Sequence, residues 1–118
     1  MEEINCLVGV EHVDERVEYI YVNWNGHLEG VGSVLHRHFQ KRENVLELIR
    51  TGSRQGLESE DLTPDMEVYK EAKVIANYKE FFEITHPKYP IKYYYIFTRD
   101  NSWVVHNRFE AKMLSTCV

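Results

Sequence analysis

The residues best suited to chemistry in this 118-residue chain fall in two groups. The first is aromatic and amide-rich: Tyr21, Asn23, Trp24, Asn25 and His27 crowd into YVNWNGHLEGVG, and Tyr93, Tyr95, Asn101 and Trp103 follow near the C-terminus. The second is basic: Arg37, His38, Lys41 and Arg42, then Arg50 and Arg54 on either side of Thr51-Gly52-Ser53, with Arg99 later. Rings that stack, amides that read polar edges and guanidinium groups that hold phosphate together suit a nucleobase or a nucleotide. The plainer reading places half the rings in the core and the rest in a protein interface.

Other chemistries find less support. His36 and His38 lie two apart, which on a helix turns them about 200° from one another, so they cannot share a metal there. No HExxH, CxxC or EF-hand loop occurs, and no GxSxG elbow. GHLEGVG lacks the Lys-Ser/Thr of a P-loop and the GxGxxG spacing of a dinucleotide fold, and reads as a turn feeding a helix. Cys6 falls mid-strand in a core pattern, and the pair Glu58 and Glu60 lies in a polar stretch with nothing to shift a pKa. No catalytic residue, metal or cofactor is expected.

Composition bounds the rest. The length suits a single domain, residues 1–118, with one core. Apolar residues make up 43% and charged residues 28%, as in an ordinary globular protein, and aromatics reach 13%. A net charge of −5 disfavours non-specific nucleic-acid binding. No apolar run approaches the roughly 20 residues of a membrane span, and MEEINCLVGVEH lacks a secretory signal's basic flank. Two cysteines, Cys6 and Cys117, fit free thiols in a reducing cytoplasm, with a disulfide between the termini as the alternative.

The elements that must position these residues follow from periodicity. INCLVGVEHV alternates as a strand with Ile4, Cys6, Val8 and Val10 on one face. VEYIYVNW forms its hairpin partner across Asp14-Glu15-Arg16, with Tyr19, Tyr21 and Asn23 opposite Ile20, Val22 and Trp24. Asn25-Gly26 and the pair Gly30, Gly32 read as turns. Val31, Val34, Leu35, His38 and Phe39 then take helical spacing, as do Val45, Leu48 and Ile49, with a stop at Thr51-Gly52.

SRQGLESEDLTPDME reads as a solvated acidic loop, and VYKEAKVIA as a further strand. NYKEFFEI is a helix capped by Asn77 with Glu80 three residues on, ended by Pro87 and Pro90. IKYYYIFT and SWVVHN form a second hairpin across Arg99-Asp100-Asn101, and FEAKMLSTCV carries no decisive pattern. The order predicts an α+β domain: an antiparallel sheet of about four to five strands, with two to three short helices packed on one face. If the two hairpins are neighbours, their aromatics form one surface.

The run YIYVNWNGHLEGVGSVLHRHF followed by RENVLELIRTGS resembles a family of small bacteriophage and prophage proteins. Members carry a Tyr-x-His-Trp-Asp-Gly-Tyr segment, a glycine before a helix, and a short helix closed by Leu-Gly-Asp. The matching positions are Tyr21, Asn23, Trp24, Asn25, Gly26 and His27, then Gly32, Leu35 and Phe39, then Val45, Leu48, Ile49 and Gly52. NYKEFFE and YYYIFTRDNSWVV resemble the family's C-terminal half. Asn23 and Asn25 stand where the family has His and Asp, so an acid–base role of that pair would be lost here.

Such phage proteins are often accessory or anti-defence factors, and the chain is similar to the anti-Thoeris proteins that trap cyclic ADP-ribose-type signals. The resemblance implies a non-enzymatic protein of the bacterial host cytoplasm, compatible with a homo-oligomer, that sequesters a nucleotide-derived signalling molecule. Its ligand-binding residues would be Tyr21, Asn23, Trp24, Asn25, His27, Arg50, Arg54, Arg99, Asn101 and Trp103. A protein-binding inhibitor of a host enzyme or defence protein is the alternative.

Overall fold

The computed structural model describes residues 4–22, 26–54, 57, 71–85, 90–107 and 111–114. Two hairpins dominate it. β1 (Asn5–Glu11) and β2 (Val17–Val22) pair antiparallel, and so do β4 (Ile91–Phe97) and β5 (Trp103–Asn107). Both turns use a three-residue loop whose last residue is left-handed, Glu15 at φ 77° and Asn101 at φ 61°. That geometry matches the right-handed twist of the flanking strands, and Asn tolerates it far better than most residues.

β1 and β4 then join the hairpins side by side and run parallel, with Cys6 beside Tyr93, Val8 beside Tyr95 and Val10 beside Phe97. Short edge strands complete the sheet, β3 (Lys73–Ile75) on β2 and β6 (Ala111–Met113) on β5, giving the order β3-β2-β1-β4-β5-β6. The α+β reading holds, with six strands rather than four to five and a parallel central pair. β6 escaped the sequence reading because three residues cannot display an alternation.

Alternation along the hairpins decides which side chains meet the helices. Cys6, Val8, Val10, Ile20, Val22, Tyr95, Phe97, Trp103 and Val105 share one face and build the larger core with Val31, Leu35, Phe39, Val45, Leu48 and Ile49. The last six come from the helical layer, which includes α1 (Ser33–His38) and α2 (Arg42–Arg50). Cys6 is fully buried and unbridged, and burial pushes its thiol well above the usual range. It is a core residue, inert while the protein is folded. Cys117 and the acidic residues Glu58, Glu60, Asp61, Asp65 and Glu67 lie outside the described residues.

Gly30 and Gly32 do not turn the chain, and the Asn25-Gly26 turn lies partly outside the described residues. Leu28–Gly32 is already helical, a single π turn closed by the Gly32 N–H on the His27 carbonyl (3.3 Å). It runs directly into α1, so the helix begins four residues before Gly32 rather than after it. Thr51-Gly52 does stop α2, with Gly52 at φ 85°, a value glycine reaches without a Cβ penalty.

α3 (Tyr78–Phe81) takes the opposite face of the sheet from α1 and α2. Its Asn77 cap accepts from the Glu80 N–H at 3.0 Å, as the sequence signature requires. Phe81 packs there with Leu7, Val17, Tyr94 and Ile96, and Tyr19, Tyr78, Phe82 and Ile84 close around it. Edge-to-face contacts link Phe81 to Tyr19 (5.9 Å) and to Tyr94 (5.8 Å), and the Tyr94 hydroxyl donates to the Ile84 carbonyl at 2.6 Å.

Burial raises the pKa of Tyr19, Tyr78 and Tyr94 above the ordinary 10.0, and Glu11 adds to the effect at Tyr78. Raised folded-state values favour the neutral phenol. The stability these rings contribute is therefore complete below pH 10 and is lost as the pH climbs through their folded values. Denaturant midpoints measured from pH 8 to 11.5 should stay level and then fall above 10. A midpoint that is flat to pH 11.5 would show that these phenols ionise as freely in the folded protein as in the unfolded one.

Candidate functional site

Parallel pairing of β1 and β4 brings both hairpin turns to the same end of the sheet, beside the junction of α1 and α2. Arg42, the first residue of α2, fastens the junction to them. Its Nη1 donates to the Glu11 carbonyl (3.0 Å), its Nη2 to the Thr98 carbonyl (2.6 Å) and its Nε to Asn101 Oδ1 (2.9 Å). The guanidinium also lies 5.3 Å from the centre of the Phe97 ring, within cation–π range. Across the same end, the Arg99 backbone N–H donates to Glu11 Oε1 at 3.0 Å.

Trp103 makes a second tie. Its indole Nε1–H donates to the Phe39 carbonyl (2.7 Å), which satisfies the C-terminal end of α1, and its ring meets Phe97 edge to face at 5.2 Å. Only 4% of Trp103 is exposed, so it cannot lie open as a platform for a base. Between α1 and the β4–β5 turn, its uncovered edge helps to line a cleft of about 130 Å³ with His36, Gln40, Asn101, Ser102 and Met113. A cavity of about 150 Å³ holds one benzene ring, so this open cleft admits the edge of a base rather than a whole dinucleotide.

The turn that supplies Asn101 is closed by two backbone hydrogen bonds. The Thr98 N–H donates to the Ser102 carbonyl and the Asn101 N–H returns to the Thr98 carbonyl, both at 2.9 Å. On the other wall, Gln40 Nε2 donates to the His36 carbonyl in the last turn of α1. The cleft can offer hydrogen bonds and apolar contact. Among the described residues no group of three or more His, Cys, Asp or Glu could hold a metal ion.

The residues expected at a site divide between the two ends of the sheet. Arg99, Asn101 and Trp103 share the end just described, and the last two line the cleft. Tyr21, Arg54 and His27 lie toward the other end. Four residue steps along β2 separate Tyr21 from Val17, the partner of Glu11, which is about 13 Å of strand. Asn23, Trp24 and Asn25 lie outside the described residues.

The hairpins are neighbours, but among the described residues their aromatics do not form one surface. Tyr21 belongs to the α3 face, whereas Tyr93, Tyr95 and Trp103 belong to the α1/α2 face. The period of two along each strand separates them.

Nor are the Thr51 and Gly52 amides free for a phosphate. The Thr51 N–H donates to Glu47 and Leu48 carbonyls, that of Gly52 to Ile49, and that of Arg54 to Tyr21 (2.9 Å). Ser53 Oγ accepts from the Tyr21 N–H at 2.9 Å, so the segment extends the edge of β2. Arg50 ends α2 exposed. His27 is half-buried, and its carbonyl closes the π turn.

Sequence reasoning named Arg42 only within the basic group and passed over Gln40, Ser102 and Met113. One signal was available for Arg42. A cation at the first position of a helix opposes the helix dipole, so its presence there calls for an acceptor elsewhere in the fold. Gln40 had no comparable signal, because its role follows from where β5 lies. No family model, curated protein or solved structure matches this chain. No helix among the described residues is long and apolar enough to cross a membrane.

Proposed function

We propose that the protein binds a nucleotide-derived small molecule without transforming it, and that the cleft between α1 and the β4–β5 turn receives the ligand's base. The observation that carries this reading is the lining of that cleft: His36, Gln40, Asn101, Ser102, Trp103 and Met113 bring polar and apolar character around space for the edge of a base. Arg37 and Lys41 are exposed beside it on α1 and its exit, where phosphates outside the cleft would meet positive charge. The resemblance to phage accessory proteins supplies the setting, a chain that captures a host's nucleotide signal and withholds it.

Capture of a host protein finds less support. The large apolar residues exposed among those described, Val13, Val74 and Met113, sit on three separate elements and make no contiguous patch.

The test is to incubate the protein with cyclic nucleotides and cyclic ADP-ribose isomers, follow its melting, then denature it by heat and analyse the released ligand. A ligand at 100 times its Kd should stabilise the fold by about 2.7 kcal/mol, and it should be recovered intact. No thermal shift and no retained ligand across the panel would sink the proposal. Recovery of a cleaved ligand would make the protein an enzyme.

A further inference from the structure

The two carboxamides of the cleft are not free to present either end. Arginine can only donate, so the Arg42 Nε bond forces Asn101 to turn its Oδ1 inward and leaves the Nδ2–H donors for a ligand. A backbone carbonyl can only accept, so the bond from Gln40 to the His36 carbonyl commits Nε2 and leaves Oε1 as an acceptor. Asn101 is held further by its left-handed backbone and the hydrogen bonds of its turn. One cleft therefore displays a donor and an acceptor, each oriented by a partner that cannot bond the other way.

We infer that the cleft selects a planar ring whose edge carries a hydrogen-bond acceptor beside an N–H donor, with Asn101 donating to the first and Gln40 accepting from the second. The inference rests on the proposed binding of a nucleotide-derived ligand and adds what the site reads. Adenine offers such an edge through a ring nitrogen and its exocyclic amine, and Asn and Gln are the side chains that pair with it. A ring-borne primary carboxamide, as in nicotinamide, offers the same chemistry from a second source. Trp103 and Met113 supply the apolar contact, and Arg42 is the positioning residue.

Titration of the full-length isotope-labelled protein, read at the side-chain amides of Gln40 and Asn101, tests this with adenosine, N6,N6-dimethyladenosine and nicotinamide. Adenosine or nicotinamide should shift both amides, and which of them binds tells the two sources apart. If adenosine binds, dimethylation should weaken it about three- to tenfold, the worth of one hydrogen bond. Gln40→Met, on an exposed side chain, should abolish that preference while leaving the dimethylated compound unchanged.

Asn101→Asp retains both the oxygen for Arg42 and the left-handed turn but replaces the outward donor, so it should weaken adenosine or nicotinamide by a similar factor at unchanged melting temperature. Equal affinity for adenosine and its dimethyl analogue, or binding that moves neither amide, would overturn the inference and leave nucleotide binding standing. If no nucleotide or nucleoside binds anywhere on the protein, both fail together.

Discussion

Trp103→Ala should be among the most damaging single substitutions in this protein, lowering stability by about 3–5 kcal/mol. Trp103 fills the space between Phe97 and α1 and is nearly fully buried. Truncation opens a cavity there, and it also removes the donor that satisfies the Phe39 carbonyl at the end of α1. A loss of that size is a large fraction of the roughly 5–15 kcal/mol that holds a domain folded, and for a chain of this length it lowers Tm by roughly 10–20 °C.

Trp103→Phe separates the two contributions. It keeps much of the packing and loses only the Nε1–H bond, so it should cost about 1–2 kcal/mol. Chemical denaturation of the three proteins, followed by far-UV circular dichroism, checks the order. A Trp103→Ala protein within 1 kcal/mol of the parent would mean that this end of the sheet does not depend on the indole.

Gly26→Ala should come close to it, at about 2–4 kcal/mol. A Cβ at this position would stand 2.7 Å from the Ile4 carbonyl oxygen and 2.9 Å from Cys6 Cβ. The nearest obstacle is backbone of the sheet, which cannot swing aside as a flexible side chain can. Segment and strand must therefore separate, and two hydrogen bonds go with the movement. These are the Gly26 N–H to the Ile4 carbonyl (2.9 Å) and the Tyr95 hydroxyl to the Gly26 carbonyl (2.7 Å).

Tyr95 is fully buried, so no water would replace the Gly26 carbonyl that its hydroxyl loses. Tyr95→Phe removes only one of these bonds and should cost about 1 kcal/mol. Urea midpoints for the two variants should therefore fall in the order Tyr95→Phe above Gly26→Ala. The reverse order would place the constraint in the phenol rather than in the close backbone approach.

These variants bracket the helical layer from its two ends. Gly26 docks the chain on the start of β1 just before the π turn, and Trp103 and Arg42 fasten the exit of α1 and the entry of α2 to the turns at the far end. The cleft is a by-product of the second fastening: it exists where the end of α1, held by Trp103, stands beside the β4–β5 turn, held by Arg42. Substitutions at Arg42 or Trp103 therefore disturb the site and the fold together. Gln40→Met and Asn101→Asp alter recognition while keeping these fastenings.

Local pattern determined a good deal of this protein. The alternation of Cys6, Val8 and Val10 and of Ile20 and Val22 marked two strands and put these side chains on one face, because successive residues of a strand point to opposite sides. Asn77 with Glu80 marked the start of α3 through a bond made within four residues. Thr51-Gly52 marked the end of α2 because glycine alone takes its backbone angle cheaply. Each of these depends on neighbours in the chain.

What the sequence did not determine depends on neighbours across the fold. Nothing local states that β1 and β4 pair in parallel, yet that pairing brings both hairpin turns to one end and so creates the site. It also sends Tyr21 and Trp103 to opposite faces, although both belong to one aromatic-rich class in the sequence. The helical start at Leu28 overrode the turn preference of its glycines because tertiary packing outweighs propensity of about 1 kcal/mol per residue. Asn101 looked like a site residue from its type. Only its bond to Arg42, 59 positions away in the chain, decided which end of its amide a ligand would meet.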